Sequence, residues 1–259
     1  MKVAVVQMNS GGDKRKNIVR GIFLCQKAIA DRAQFILLPE VFNYRGTQEA
    51  WQVAEPIPGE STRPFQELAK TKRVHILLGS LYERIKNSGK AFNTSVLVDK
   101  YGKIVGHYRK IHLFKANIQD KVIRESQTFK AGRGLATAQV EGFSVGLSVC
   151  YDLRFPWIYR AYAQKGVDIL CVPSAFTKAT GEAHWEVLLR ARAVENLCYV
   201  LAPDQIGKDG RGVDSFGHSM IIDPWGKVMA KASGGREQII YAQINKQILW
   251  DKRKALPDF

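Results

Sequence analysis

Cysteine is scarce: four among 259 residues, at positions 25, 150, 171 and 198, with no CxxC pair. That spacing gives no support to a structural zinc site, and the number is small for a disulfide scaffold. No run of 18 apolar residues occurs, so nothing reads as a membrane span. HExxH and phosphate-loop motifs, fixed-period repeats and low-complexity linkers are absent too, so neither a metal nor an organic cofactor is expected. The first residues, Met-Lys-Val-Ala-Val-Val-Gln, run into a strand-like segment with no charged stretch ahead of a long apolar one. A cytoplasmic chain with reduced thiols is therefore expected. Acidic residues are also in short supply, 24 against 39 Lys and Arg, for a net charge of +15. The excess is uneven: residues 1–130 carry 23 basic and 11 acidic side chains, and residues 84–130 alone carry 11 and 3. Such a bias invites a nucleic-acid or membrane-surface reading. No helix-turn-helix or single-strand stacking motif accompanies it, and neither partner is expected.

What is present is a chain 46% apolar, enough to bury a full core. It reads as one domain over 1–259. Strands are predicted at 2–8, 35–38, 74–81, 92–99, 104–109, 143–149, 168–172, 199–202, 217–222 and 238–241. Helices are predicted at 14–31, 64–71, 157–165, 182–197 and 246–253, with 111–135 irregular and basic. Ile18, Ile22, Cys25 and Ile29 mark one face of the first helix, and Val187, Leu188, Ala191 and Val194 one face of the helix at 182–197. Strands and helices alternate early, which favours α/β layers, while hairpins argue against a purely parallel sheet. A sandwich with sheets inside and helices outside fits better than a closed barrel.

Three apolar strand runs end on a polar residue: Phe-Ile-Leu-Leu-Pro at Glu40, Ile-Val-Gly-His-Tyr-Arg at Lys110, and Phe-Ser-Val-Gly-Leu-Ser-Val at Cys150. Active sites of α/β folds gather beyond the carboxyl ends of strands. A carboxylate, an ammonium and a thiol meeting there make a hydrolytic set. The thiol attacks, the carboxylate takes its proton and returns one to the leaving group, and the ammonium favours the thiolate and stabilises the oxyanion. Each residue also has a plainer reading, as a turn glutamate, a surface lysine and a small core residue. Spacing alone does not bring them together. Cys25, Cys171 and Cys198 read as core, and the five histidines, His75, His107, His112, His184 and His218, as structural.

The segment Ser148-Val149-Cys150-Tyr151-Asp152-Leu153-Arg154-Phe155-Pro156 resembles the nitrilase superfamily of carbon–nitrogen hydrolases. Leu-Leu-Pro-Glu40 and Tyr-Arg-Lys110-Ile-His-Leu-Phe match its other two signatures in order, and the likeness runs over essentially the whole chain. It is closest to the deaminated glutathione amidase branch, through Pro173–Thr177, Thr180–Glu186, Leu189–Ala193, Gly217–Met220 and Asp223–Gly226. Leu153, Pro156 and Ser174 stand where the neighbouring ω-amidases favour Met, Ala and Gly. The resemblance implies a four-layer αββα sandwich, a Glu40-Lys110-Cys150 set with a thioester intermediate, and no metal or cofactor. It implies a small carboxylate-bearing amide as substrate. A homodimer is expected through the helices at 182–197 and after Cys150, with segment 246–259 reaching the partner. Lys110 and the Tyr151 N–H are expected to hold the oxyanion.

Glu125, in a Glu-Ser pair shared with the family, is expected to orient Lys110; its alternative is a loop residue neutralising Lys121 and Arg124. Arg154 is expected to clamp a substrate carboxylate, or else to pair with Asp152 or Glu186. Thr177, Tyr44 and Phe114 are further pocket candidates. Lys115, Ala116, Asn117 and Gln119 depart from the acidic and glycine residues usual there, in a loop that borders the family's pocket. Rival readings are an ω-amidase, a carbamoyl-amide hydrolase or a nitrilase on the same scaffold, and a basic nucleic-acid-binding protein without enzymatic activity.

Overall fold

The computed structural model describes residues 1–118 and 121–257; Gln119 and the last two residues of segment 246–259 lie outside them. The strands in chain order are β1 (Lys2–Gln7), β2 (Phe35–Leu37), β3 (His75–Leu77), β4 (Leu81–Arg84), β5 (Ala91–Val98) and β6 (Ile104–Arg109). There follow β7 (Lys115–Ile118), β8 (Lys121–Arg124), β9 (Thr137–Val140), β10 (Phe143–Leu147), β11 (Ile169–Cys171) and β12 (Tyr199–Ala202). The last are β13 (Ile206–Lys208), β14 (Asp214–Phe216), β15 (Met220–Ile222), β16 (Val228–Lys231) and β17 (Gln238–Gln243). Helices are α1 (Lys14–Ala30), α2 (Ala50–Val53), α3 (Arg63–Lys72), α4 (Pro156–Gln164), α5 (Lys178–Asn196) and α6 (Lys246–Ala255).

Two sheets carry the fold. One orders its strands β17-β1-β2-β3-β5, with β4 beside β3 on the same edge of β5 and β6 on its other edge; the second runs β16-β15-β12-β11-β10-β9. The inner strands are apolar on both faces, so successive residues feed different layers. Val3, Val5, Phe35, Leu37 and Leu97 meet Val145, Leu147, Ile169, Cys171 and Leu201 between the sheets. Val6, Ile36, Leu38 and Ile76 turn outward onto Ile18, Cys25 and Ala28 of α1 and Phe65 of α3. Leu170, Val200 and Ile222 turn outward onto Tyr159 and Tyr162 of α4 and Trp185 and Leu189 of α5. The order is helix, sheet, sheet, helix: the expected four-layer αββα sandwich.

Several expectations move. The strand predicted at 74–81 breaks into β3 and β4 around Gly79, whose φ is +46° and where a Cβ would lie 1.9 Å from the Pro39 carbonyl. The stretch 111–135 holds the β7–β8 ribbon and a 3-10 turn at Glu125–Gln127. On α5, Val187 and Val194 are 60% and 45% exposed, and the buried face is Trp185, Leu189 and Ala193. That helix has two apolar faces, and periodicity picked the outer one. Cys25, Cys171 and Cys198 are buried as expected.

Candidate active site

Glu40, Lys110 and Cys150 come from three separate strand ends and meet on one cavity of about 380 Å³. Glu40 follows β2 and Lys110 follows β6. The ladder continues past β6, with the Lys110 N–H donating to the Asn93 carbonyl at 2.8 Å. Gly132 packs behind it: its own N–H donates to the Lys110 carbonyl at 2.8 Å, and a Cβ there would sit 2.1 Å from the Arg109 carbonyl. Cys150 opens a 3-10 turn (Cys150–Arg154) at φ +47°, and Val41, next to Glu40, has φ +49°. Both are left-handed non-glycine residues on the cavity wall, a conformation that costs of order 1–3 kcal/mol each and persists only where the surroundings over-determine it. Here they do: the Cys150 N–H donates to the Pro173 carbonyl at 3.0 Å, and the Val41 N–H to Ser80 Oγ at 2.9 Å.

Lys110, 1% exposed, donates to Glu40 Oε1 at 2.9 Å and lies 3.0 Å from Glu125 Oε2. Glu40 is fully engaged. Oε1 also accepts from Asn93 Nδ2 and Oε2 from the Ala175 N–H, each at 2.9 Å, while Gln205 Nε2 holds its carbonyl at 2.9 Å. Burial pushes the Glu40 carboxyl up, but the Lys110 charge and hydrogen bonds from Lys110, Cys150 and Asn93 outweigh it and hold it below the usual carboxylate range. Burial works against the Lys110 ammonium, yet the charges of Glu125 and Glu40 lift it well above an ordinary lysine. Burial and the Glu40 charge raise the Cys150 thiol well above its usual value, against the pull of Lys110. The resting state is thus carboxylate, ammonium and thiol. Lys110 does favour the thiolate, but burial and the Glu40 charge in the same pocket outweigh it.

Glu125 is fixed by its own turn: Oε2 accepts the Phe114 N–H at 2.7 Å, and its N–H donates to the Phe114 carbonyl at 2.9 Å. Its carboxylate faces Lys110. Arg154 has neither alternative partner. Asp152 is taken by Tyr108 Oη (2.7 Å) and His112 Nδ1 (2.8 Å), and Glu186 by Lys231 (2.8 Å). Arg154 instead stands on the cavity wall, 5.3 Å from the Phe176 ring and 3.3 Å from His184 Nδ1. Tyr151, Phe114 and Thr177 line the cavity. Tyr44 does not: it is buried behind the wall, where its hydroxyl accepts the Gln48 N–H at 2.9 Å and its ring packs on Tyr82, which does line it.

Sequence reasoning missed Asn93, the Ala175 N–H, Asp204 and Arg211. Asp204 is buried, and burial pushes its carboxyl well above the usual range; Oδ1 accepts the Phe176 N–H at 2.8 Å and so pins the loop that brings Ala175 to Glu40. Asn93 lies on β5 and acts through its side chain, Asp204 and Arg211 lie in loops, and Ala175 acts through its backbone N–H; no periodic signal marks any of them. Among the described residues, no cluster of His, Cys, Asp and Glu suits a metal ion, and no helix is long and apolar enough to cross a membrane.

Residues 2–250 match the carbon–nitrogen hydrolase family. The chain is 36% identical to the omega-amidase NIT2 of Homo sapiens, over 100% of this chain and 93% of that one. It is 39% identical to a deaminated glutathione amidase of Mus musculus, over 99% and 81%. The C. elegans NitFhit structure superposes with a TM-score of 0.94 at 35% identity, covering 100% of this chain and 64% of that one.

Proposed function

Because the chain belongs to the carbon–nitrogen hydrolase family and is an enzyme acting on amides, we propose that Cys150, Glu40 and Lys110 perform that hydrolysis through a thioester. The observation that carries the proposal is Lys110 held between Glu40 and Glu125 at 2.9 and 3.0 Å, with Cys150 on the same cavity wall. Glu40, ionised at rest, accepts the thiol proton as Cys150 Sγ attacks the amide carbon. Lys110 and the Tyr151 N–H, in the first turn of the 3-10 segment and so without a partner inside it, receive the oxyanion. The C–N bond breaks as Glu40 returns the proton to the departing nitrogen. Glu40 then takes a proton from water as it attacks the thioester; the C–S bond breaks, the acid leaves, and Glu40 returns the proton to Cys150 Sγ. Glu125 is a positioning residue that holds Lys110. No step calls on a metal or an organic cofactor.

The substrate we propose is a small carboxylate-bearing amide, deaminated glutathione in the first place. Leu153, Pro156 and Ser174 support that branch, and Arg154, on the cavity wall without a carboxylate partner among the described residues, supports a clamp on the acid. The second reading, an ω-amidase, rests on the full-length likeness to omega-amidases. Both substrates yield α-ketoglutarate, so the rate of its release from each separates the readings: the first predicts a higher kcat/KM on deaminated glutathione than on α-ketoglutaramate, and the reverse order overturns it. The cytoplasm as location belongs to the same reading. So does a homodimer, formed where Trp157 of α4 and Val187 and Val194 of α5 present an exposed apolar face.

A further inference from the structure

The cations of the cavity are not exhausted by Lys110. Arg154 reaches the wall from the turn after Cys150, and Arg211 from the loop joining β13 and β14. Their recorded contacts do not overlap: Arg154 stands by Tyr151, Phe176 and His184, and Arg211 by Asp209.

Arg211 is held in a fixed pose. Asp209 Oδ2 accepts from its Nε at 3.2 Å and its Nη2 at 3.1 Å, while Oδ1 accepts the N–H groups of Arg211 and Val213 at 2.8 and 2.9 Å. The same Oδ2 lies 3.3 Å from Arg45 Nη2. The Asp209 side chain is fully buried, so two guanidiniums share one carboxylate and one positive charge is left over. Arg45 is itself buried and also donates to Ser215 Oγ at 2.9 Å. Arg211 is the half-exposed member of the pair, and its guanidinium keeps donors for the cavity. Around it the balance is positive. Among the described lining residues Arg45, Lys110, Arg124, Arg154 and Arg211 stand against Glu40, Glu49 and Glu125, with Asp209 behind Arg45 and Arg211. Closing the loop needs only the backbone N–H groups on Asp209; the guanidinium adds a pre-oriented charge at the cavity wall, which loses little freedom on meeting an anion.

Resting on the amidase reading of this site, we infer that Arg211 is a second anion-reading residue, separate from Arg154, and that the substrate it selects carries a carboxylate on each side of the scissile amide. Arg154 takes the acid of the acyl part and Arg211 the acid of the leaving amine. A primary amide with a single acid engages only one.

The test is calorimetric binding to the full-length Cys150→Ala protein, which does not turn over, with three probes: N-glutarylglycine, N-glutarylglycinamide and glutaramate. The first two differ by one negative charge at nearly equal size. The dianion is expected to bind at least about tenfold more tightly than its amide-capped partner. Adding Arg211→Gln should bring that preference to within about twofold and leave glutaramate binding unchanged. Arg211→Lys, which keeps the charge without the fork, should retain part of the preference, and it decides the matter if the Gln variant does not fold. No preference at the outset, a preference that survives Arg211→Gln, or an equal loss for all three probes overturns the proposal, the last by making Arg211 a loop clasp. A wild-type protein that hydrolyses no amide would instead sink the amidase reading, and these binding results would still be readable.

Discussion

Lys110 sits between two carboxylates, and that imbalance sets how the site responds to pH. The Glu40 carboxyl is held low, so its acid limb should lie below the ordinary glutamate value of about 4.3, with kcat/KM flat from neutrality down to there. Sign and cause agree: activity needs the ionised form, and protons must be driven on against the Lys110 charge. Lys110 is lifted above all by Glu125. Glu125→Gln should therefore lower kcat by about 10–100-fold with KM little changed, and bring the alkaline limb to lower pH. Glu125→Asp should recover part of both. An unmoved alkaline limb would contradict the positioning role.

Among the elements, the β4–β5–β6 corner carries the clearest linkage. Glu83 on β4 is raised by burial but held to about 2 by Arg109 and His107 of β6 and Thr94 of β5. A depressed carboxyl adds stability above its unfolded value and loses it as pH falls through the folded one. Glu83→Gln should thus cost roughly 2–3 kcal/mol near neutrality, with the gap closing between about pH 4 and pH 2 in denaturant midpoints. A gap independent of pH would place the cost in packing instead. Elements also show what could be read in the chain. Glu40, Lys110 and Cys150 were legible because each polar residue closes an apolar strand, and the three motifs stand in order. β3 and β4 were read as one strand because Gly79-Ser80 interrupts a run whose composition does not change. The inner face of α5 was missed because Val187 and Val194 offer a second stripe as apolar as Trp185 and Leu189. Asn93, Ala175 and Arg211 were invisible, since their roles arise from pairing across strands, a backbone N–H and a loop.

For the whole molecule, the charge of +15 takes on a different meaning. Within 84–130, Arg84 donates to the Ala54 carbonyl, Lys90 to the Ser126 carbonyl, Lys100 pairs with Glu141, Arg109 with Glu83, and Lys110 lies in the site. Five of the eleven basic side chains in that run are thus tied to local structural tasks or to the site. The outer face of α4 and α5 is one of the places where this chain presents apolar surface, with Trp157, Val187 and Val194 exposed; Trp225 and Trp250 are exposed as well. Light scattering is expected to give twice the 29.1 kDa chain mass, and Val187→Glu with Val194→Glu to give the single chain. A monomer at all concentrations would contradict the dimer.

The central claim is that Cys150 carries the acyl group. Its most direct test is the intact mass of the protein quenched during turnover of an amide substrate. The account predicts an added acyl mass located on Cys150, absent from Cys150→Ala, which should also lose hydrolysis. Full hydrolysis by Cys150→Ala, or an adduct on another residue, would contradict it.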